Sequence, residues 1–441
     1  MITRIEATRY RCFDRLDVDL GGFGVLVGAN GAGKTTLLDI PVLLGDLLEQ
    51  SGKQSGVGAA FLEALQPRGA RASTFTDLLH KGEGERFAFA IEARLPKAVV
   101  DALVESASGF VKENADHWPA FIRYELGLEV FNKRELQVTS EYVFAFSEKD
   151  VPPRADKDDI NAVRIHGDIN PNKRWVFAVR REGGGEAEFR PEAKASGQSR
   201  RAPARSAAVP ASRLALAALG FESSDQYPAA RWLLQLLVED AVFFDPNWAA
   251  LRSASPPGLP SRVIADGLNL PWLAMALRAD ARDQFDAWKE HVRIALPQLT
   301  DIEVVEREED HHAYFRVTYN NSYVVTSSGL SDGTLRVLAL TLLPYLDSPP
   351  KLLVVEEPEN GIHPRAIETV LEGLSSMNDT QVLVSSHSPV VVANTSIENL
   401  LAARLGRDGA VTVIPGSEHP RLVDWKGSID LGTLFAAGVL G

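Results

Sequence analysis

The sequence contains one cysteine, Cys12, among 441 residues. A single cysteine cannot form a disulfide within the chain, which is typical of proteins kept in a reducing cytoplasm. Cys12 alternates with polar neighbours in a predicted strand, which indicates a packing residue rather than a reactive one. No run of about 18 apolar residues occurs, which excludes a transmembrane helix, and the charged amino terminus lacks the apolar core of a secretory signal. We therefore expect a cytoplasmic protein without a membrane partner.

Positive charge is also scarce, because the formal net charge is −13 and the isoelectric point is about 5.3. Nucleic-acid binding would then need a local basic patch. One candidate is the segment from Lys173 to Arg213, which contains ten Lys or Arg residues and four Glu residues. Residues 193–212 of this segment are poor in apolar bulk and are predicted to form a mobile loop. DNA binding through this basic region and a solvated loop without a partner stay open as alternatives.

The strongest motif is a glycine-rich turn between a predicted strand and a predicted helix, in the segment FGVLVGANGAGKTTLLD. It has the phosphate-loop spacing G-x-x-x-x-G-K-[ST]. Its glycines let backbone N–H groups face phosphate oxygens, and the helix adds the positive end of its dipole. Lys34 is expected at the β and γ phosphates, and the Thr35 hydroxyl on Mg²⁺. The predicted ATP-binding residues are Gly28, Ala29, Asn30, Gly31, Ala32, Gly33, Lys34, Thr35 and Thr36.

Two adjacent acids, Glu356 and Glu357, follow the apolar run 352–355. Such a run predicts a buried strand, and doubly wound sheets place their ligands at the carboxyl ends of their strands. Adjacent side chains on a strand end point to different sides, so we predict that Glu356 supports Mg²⁺ and that Glu357 polarises the attacking water. A further apolar strand, TQVLVSSHSP, ends at His387, whose imidazole can donate a hydrogen bond to the γ phosphate or to that water. The predicted catalytic residues are Glu357, His387 and Lys34.

The stretch LSDGT at 330–334 precedes a hydrophobic helix pattern, and Ser331 is predicted to cap that helix. A capped helix start flanked by Gly329 and Gly333 is also suited to bind an anion. The phosphate loop already occupies one side of the nucleotide held by the same chain. A second anion-binding helix start is therefore best explained if it closes on the nucleotide of another copy.

In order and content these motifs resemble ABC-type ATPases of the SMC/RecF/OLD branch, in particular stand-alone ATPases of the AAA_15/AAA_21 type. The resemblance implies an α/β fold: an ATPase head of mixed sheet and helices from residues 1–95 and 262–441, interrupted at 96–261 by an α+β insertion without a long coiled coil. It also implies a head-to-tail dimer around two ATP molecules, in which Ser331, Asp332 and Gly333 bind the γ phosphate held by the other protomer. Residues 360–363 would cross the dimer interface, and Arg11 would lie near the nucleotide.

The sequence departs from that family pattern at two places. Glu356 stands where many relatives have aspartate. The glutamine that completes the Mg²⁺ shell in many relatives is missing from FTDLLHKGEGERFAFAIEA, although Gln54 and Gln66 fall in the right interval. Which side chain takes that place is left open by the sequence.

For function, the resemblance favours an ATP-hydrolysing ATPase that dimerises, or assembles further, and controls an effector in bacterial anti-phage defence. Larger OLD proteins carry a Toprim nuclease after the ATPase, whereas 54 residues follow His387 here, so we expect a nuclease effector on a separate chain. The alternative is a RecF-like DNA repair ATPase that binds DNA without an effector. A transporter subunit is disfavoured by the long insertion and the missing glutamine.

Overall fold

The computed structural model describes residues 1–53, 55–63, 69–154, 174–219, 225–422, 425 and 429–440. The strands, in chain order, are β1 (Ile2–Tyr10), β2 (Phe13–Asp19), β3 (Phe23–Val27), β4 (Arg86–Arg94), β5 (Phe121–Phe131), β6 (Glu135–Phe146), β7 (Val176–Glu182), β8 (Glu186–Phe189), β9 (Arg205–Ala208), β10 (Ala241–Phe244), β11 (Leu299–Glu306), β12 (Ala313–Tyr319), β13 (Val324–Thr326), β14 (Leu352–Glu356), β15 (Gln381–Ser386), β16 (Leu400–Leu405) and β17 (Val411–Pro415). The helices, in chain order, are α1 (Lys34–Gly52), α2 (Ala59–Leu62), α3 (Lys97–Glu105), α4 (Gly109–Glu113), α5 (Ala215–Ala218), α6 (Pro228–Val238), α7 (Trp248–Leu251), α8 (Leu270–Asp280), α9 (Arg282–Ala295), α10 (Asp332–Leu342), α11 (Pro364–Ser375), α12 (Pro389–Ala393) and α13 (Leu431–Ala436).

An eight-stranded antiparallel sheet has the order β2-β1-β4-β5-β6-β7-β8-β9. One face of it packs with α1 and α6 into a large hydrophobic core. The two helices touch closely, because a Cβ atom added to Gly45 of α1 would lie 2.1 Å from the carbonyl oxygen of Leu237. A side chain at Gly45 would push α6 away from the sheet, so this glycine sets the spacing of the helix layer.

A six-stranded sheet has the order β10-β14-β15-β3-β16-β17, and β17 is its antiparallel edge. The strands from β10 to β16 run parallel. Leu352 to Val355 of β14 are all buried, as expected for a strand covered on both faces. The parallel direction brings the carboxyl ends of β3, β14 and β15 to one edge of the sheet.

A three-stranded antiparallel sheet, β11-β12-β13, leads into α10. Helices α8 to α11 pack with it and with one face of the parallel sheet into a second hydrophobic core. Trp288 is fully buried there, and its indole N–H donates to the Thr341 hydroxyl at 3.1 Å. Helix α10 is therefore held along most of its length, while its first residues stay at the surface.

The predicted α/β fold is confirmed, with a mixed sheet, an antiparallel sheet and no long coiled coil among the described residues. The strands predicted within 96–261 are present, but β5 pairs directly with β4, so the same sheet continues across residue 95. Strand β10 also lies within 96–261 and pairs with β14 of the parallel sheet. The division at 95 and 261 thus stays a prediction about the organisation of the chain.

Three local predictions were wrong. Residues 205–208, expected in a mobile loop, form β9, because their backbone pairs with β8 at the edge of the sheet. The apolar pattern of residues 229–242 predicts a helix over this whole segment, but α6 ends at Val238 and the residues from Ala241 enter the sheet. Cys12 lies in the turn between β1 and β2 rather than in a strand. Within the part of the chain that the structure describes, no helix combines the length and the apolar character needed to cross a bilayer.

Candidate functional site

The phosphate loop connects β3 to α1 and has the strand, turn and helix that its spacing predicts. Gly31 and Gly33 have φ values of 79° and 72°, in the region that favours glycine. A Cβ atom on Gly28 would lie 2.4 Å from the carbonyl oxygen of Ala403, and one on Gly33 would lie 2.6 Å from the Cys12 sulfur. Two of the glycines are thus required by close packing as well as by the turn.

Lys34 is folded over its own loop. Its ammonium donates to the carbonyl oxygens of Gly28 at 2.8 Å and Ala29 at 3.1 Å. Burial lowers the pKa of Lys34, and the nearby carboxylates, Glu357 foremost, oppose that shift. The ammonium is therefore held by weak neutral acceptors beside an acidic group, and a phosphate would be a stronger partner for it.

The two adjacent acids diverge, as predicted. The carboxylate of Glu356 accepts a hydrogen bond from the Thr35 hydroxyl, so it faces the phosphate loop. Glu357 has a φ of +43°, and its backbone N–H donates to the Ser385 carbonyl at 2.9 Å. Left-handed backbone is uncommon at a residue with a Cβ atom, and such positions cluster at functional sites. This turn at Glu357 directs its carboxylate away from Thr35 and toward the end of β15.

Both oxygens of Glu357 have partners. Nδ1 of His387 lies 2.9 Å from Oε1, and the Asn360 amide donates to Oε2 at 2.6 Å. Glu359 holds the end of β15, because its Oε1 accepts hydrogen bonds from the Ser386 hydroxyl at 2.5 Å and from the His387 backbone N–H at 3.4 Å. The side chains of Glu357 and His387 are 30% and 46% exposed, so a ligand can reach them. Glu357 and His387 are 30 residues apart in the sequence, and the structure brings the carboxylate and the imidazole into contact.

The phosphate loop, Glu356 and Glu357 line a cleft of about 1080 Å³, and His387 reaches it through its contact with Glu357. Its lining comprises Arg11, Cys12, Asn30, Gly31, Ala32, Gly33, Lys34, Thr35, Thr36, Thr76, Asp77, Leu79, Lys81, Gly82, Lys133, Glu356, Glu357 and Ser385. Arg11 was expected there from the resemblance, whereas Lys81 and Lys133 were not foreseen. Both lysines lie in turns with positive φ, at 56° and 59°, which is unusual for residues other than glycine. The hairpin sequence Asn132–Lys133 carried a turn signal, but only the topology shows that this turn reaches the cleft.

The segment that lacks a glutamine also contributes to the cleft, through Thr76 and Asp77. The Asp77 carboxylate accepts the backbone N–H of Thr74 at 2.8 Å, which completes a capping box and fixes the local turn. The two glutamines considered from sequence, Gln54 and Gln66, lie outside the described residues.

The signature stretch lies apart from this cleft. The Ser331 hydroxyl caps α10 by accepting the Thr334 N–H at 3.1 Å, as predicted. A Cβ atom on Gly333 would lie 2.3 Å from the carbonyl oxygen of Gly361, so the signature glycine packs against the loop that follows Glu357. Ser331, Asp332 and Gly333 are not among the residues that line the cleft. Within one chain, the phosphate loop meets Glu356, and Glu357 meets His387, whereas the signature reaches this region only through the packing of Gly333 on Gly361.

The basic region is less open than its sequence suggests. Arg181 is 1% exposed, and its guanidinium donates to the carbonyl oxygens of Val209, Pro210 and Arg213. Arg181 therefore belongs to the structure of the sheet edge, and its prediction as part of a DNA-binding surface was wrong. The guanidinium of Arg205 lies 4.8 Å from the Phe189 ring centre. Lys173 lies outside the described residues.

Comparisons with known proteins agree with this architecture. Residues 217–393 match the AAA_21 family model, described as "AAA domain, putative AbiEii toxin, Type IV TA system". A 48-residue segment is 44% identical to an OLD nuclease of Thermus scotoductus (strain ATCC 700910 / SA-01), and it covers 11% of this chain and 9% of that protein. The chain thus matches about a tenth of the length of this curated relative.

Among solved structures, the chain is similar to the SmcHead bound to the C-winged helix domain of ScpA. The TM-score is 0.50 at 13% identity, over 94% of this chain and 97% of that chain. A second similar structure is the Smc head domain with an extended coiled coil, bound to the C-terminal domain of ScpA derived from Pyrococcus furiosus. Its TM-score is 0.47 at 12% identity, over 94% and 95% of the two chains. The first likeness shows a shared fold, and with the family match and the nuclease segment it supports an SMC/RecF/OLD-like P-loop ATPase.

Proposed function

We propose that this chain hydrolyses ATP as an ABC-type ATPase, closes head to tail with a second copy around two ATP molecules, and controls a separate effector in anti-phage defence. The observation that carries the ATPase part is the edge of the parallel sheet. There Thr35 meets Glu356 in the cleft, and Glu357, which also lines the cleft, meets His387. The first pair is suited to a metal-bound triphosphate, and the second to an attacking water.

In this mechanism the backbone N–H groups of the phosphate loop bind the phosphates, and Lys34 exchanges its two carbonyl partners for the β and γ phosphates. The Thr35 hydroxyl and the Glu356 carboxylate are hard oxygen donors of the kind that Mg²⁺ prefers, and they would hold this ion. When bound, Mg²⁺ neutralises phosphate charge. Glu357 accepts a proton from the attacking water, while Asn360 and His387 orient its carboxylate.

The dimer is proposed because each copy carries two anion-binding helix starts on different surfaces. The start of α1 faces the cleft, and the start of α10 does not line it. A head-to-tail pair brings the α10 start of each copy to the cleft of the other, which gives two equivalent sites and closes the assembly. Gly333 packs on the carbonyl of Gly361, so closure at the signature also acts on the loop that follows Glu357.

The proposal of an effector is supported by the family match and by the curated relative. The family description names a putative toxin, and the curated relative is named a nuclease. We propose a nuclease on a separate chain as the effector, and phage infection as the setting. DNA binding through the basic region remains the competing proposal, that of a RecF-like repair ATPase, and the burial of Arg181 reduces the charge available to it.

A pull-down tests the effector. Tagged Glu357→Gln protein is recovered from its native cell with ATP, and bound proteins and nucleic acid are identified. A copurifying nuclease, together with loss of phage protection in Lys34→Ala, supports the proposal. DNA without any protein partner, or full protection by Lys34→Ala, contradicts it. Purified protein that forms no ATP-dependent dimer contradicts the head-to-tail arrangement separately.

A further inference from the structure

The signature stretch contains a charge conflict. Asp332 is the first residue of α10, directly after the capping Ser331, and its side chain is 58% exposed. A carboxylate there stabilises the helix through the dipole. In the proposed dimer the backbone N–H groups of Ser331, Asp332 and Gly333 bind the triphosphate of the partner, whereas the exposed Asp332 carboxylate would repel it. The site works as an anion site only if this charge is offset.

Arg252 lies next to that carboxylate. Its guanidinium contacts Oδ1 of Asp332 through Nη2 at 2.8 Å and Nε at 3.3 Å. The Arg252 side chain is 38% exposed, so part of the guanidinium stays available after the ion pair forms. The guanidinium has five N–H donors, and two of them are used on Asp332. The remaining donors can bind a phosphate.

The position of Arg252 relative to the signature helix is fixed by packing. It directly follows α7, whose start is capped by the Asn247 side chain accepting the Ala250 N–H at 3.1 Å. The Arg336 guanidinium of α10 lies 4.3 Å from the Trp248 ring centre, and this contact fastens α7 to α10. Arg252 is therefore carried by the same rigid unit as Ser331 and Gly333.

Arg252 also borders a cavity of about 630 Å³ beside the signature. Arg307 and His312 lie in the lining of this cavity, together with the hydroxyl side chains of Ser253, Tyr314, Thr326, Ser327 and Ser328. Arg307 is paired with Asp310 at 2.8 Å. His312 contacts the same carboxylate at 3.3 Å, so these two charges are partly offset, and the hydroxyl groups supply the hydrogen-bond donors that suit an approaching anion.

We propose that Arg252 is a phosphate-binding residue that acts in trans, and that Asp332 is the positioning residue that holds its guanidinium beside the signature. This assignment rests on the proposed head-to-tail dimer. When the dimer closes, Arg252 of each copy contacts the triphosphate bound in the cleft of the other. The Arg252–Asp332 pair removes the repulsion of the carboxylate and supplies N–H donors in one arrangement.

The positioning role of Asp332 predicts the direction in which Asp332→Asn changes ATP-driven dimerisation. If Asp332 were only an exposed acid near an anion, Asp332→Asn would strengthen ATP-driven dimerisation or leave it unchanged. If Asp332 positions Arg252, the same substitution weakens dimerisation, because the guanidinium loses its anchor while the neutral amide keeps the size of the side chain. Arg252→Gln should weaken dimerisation as well, by roughly tenfold or more, since it removes a charge-assisted hydrogen bond.

The experiment measures the ATP concentration that gives half-maximal dimer, by light scattering, in purified Glu357→Gln protein and in the same protein with a second substitution. Arg252→Gln and Asp332→Asn should both raise this concentration, and ATP binding by the dilute monomer should stay unchanged. Arg316→Gln is the matched control, because Arg316 forms a 2.8 Å pair with Glu303 at 39% exposure on the neighbouring sheet. It should leave dimerisation unaffected.

A mixing experiment tests the trans role. Arg252→Gln protein is combined with Lys34→Ala protein, and ATP turnover is measured. In a mixed dimer the nucleotide on the Arg252→Gln copy meets an intact Arg252 from the other copy, so turnover should exceed that of either variant alone. No recovery, or unchanged dimerisation by Arg252→Gln, overturns the role of Arg252. Monomeric Glu357→Gln protein at saturating ATP overturns the proposed dimer, and the trans role with it.

Discussion

The two large sheets use glutamate side chains in opposite ways. In the antiparallel sheet, Arg123 is fully buried, and its guanidinium binds Glu92 at 2.6 Å and Glu6 at 2.9 Å. At the edge of the parallel sheet, Glu357 and His387 contact one another but remain 30% and 46% exposed. The antiparallel sheet encloses the charges around Arg123, whereas the edge of the parallel sheet presents Glu357 to a cleft. Enclosure by opposite charge indicates a structural role, and partial pairing beside open volume indicates chemistry.

The sheet type explains the difference. A parallel sheet is covered on both faces, so its strands are apolar and charged residues collect at the strand ends. The antiparallel sheet has a second face, where side chains of neighbouring strands form rows. Arg4 is the register partner of Glu92, and Glu92 is the register partner of Arg123. This row alternates in charge across three strands, which allows each group to be desolvated beside an opposite charge.

The largest effect on stability is expected from Arg123→Leu. It leaves Glu6 and Glu92 buried without their main partner, and removal of one member of a buried pair typically costs about 3–5 kcal/mol. Chemical denaturation measures the loss, while turnover per folded molecule should stay near that of the unchanged protein. Arg86→Leu on the same sheet is the control, because its pair with Glu129 is 56% exposed on the arginine side and should contribute roughly 0–1 kcal/mol. Equal losses of unfolding free energy for the two variants would remove the contrast between enclosed and exposed charges.

Glu357→Gln should have the opposite effect to Arg123→Leu: a large loss of turnover with little change in stability. Loss of the base lowers kcat on the order of a hundredfold or more, while the exposed position keeps the free energy of unfolding nearly unchanged. The Gln side chain can still bind Asn360 and His387, so ATP binding should persist and the closed dimer should accumulate. Steady-state turnover and thermal unfolding of the same preparation measure both effects. Turnover above a tenth of the original rate would mean that Glu357 is not the base.

Ser331→Arg should block closure while leaving the cleft intact. The added side chain occupies the start of α10, which lies outside the cleft lining, so one copy should bind ATP with its ordinary affinity. Loss of the Ser331 cap costs roughly 1 kcal/mol of stability. A fluorescent nucleotide titration reports binding, and light scattering reports the missing dimer. A matching loss of monomer ATP affinity would place the signature in the cleft of its own chain.

A separate effect, on the pH dependence of stability, is expected from Glu192→Gln. Burial raises the pKa of Glu192 to about 7, while hydrogen bonds from the backbone N–H groups of Ala229 and Ala230 oppose the rise. Because the folded-state pKa is raised, Glu192 contributes stability that is fully present below its unfolded value near 4.5 and is lost as pH rises through about 7. Glu192→Gln should flatten this part of the stability profile, measured by denaturation at pH 5 and pH 8. A profile that keeps its slope would contradict the shifted pKa.

The sequence allowed the local parts of the site to be predicted, because each is a short pattern. The glycine turn before Lys34, the acids after β14 and the histidine after β15 all lie at ends of apolar strands, and parallel pairing then brings them together. The contacts made over long separations could not be predicted. Arg252 and Asp332 are 80 residues apart, and Lys133 reaches the cleft only because the β5–β6 hairpin extends a sheet that starts at the amino terminus. Strand β9 could not be predicted either, because its small residues do not favour a strand, and it forms by pairing with β8.

The claim that the active site is divided between two copies is tested most directly by mixing Glu357→Gln protein with Ser331→Ala protein and measuring ATP turnover across all ratios. Each variant alone should be nearly inactive. A mixed dimer has one site with an intact Glu357 from one copy and an intact Ser331 from the other. An equimolar mixture should therefore recover turnover, to at most roughly a quarter of the original, since random pairing makes about half of the dimers mixed and each mixed dimer has one intact site of two. Turnover that follows the weighted average of the two variants at every ratio would contradict a shared site.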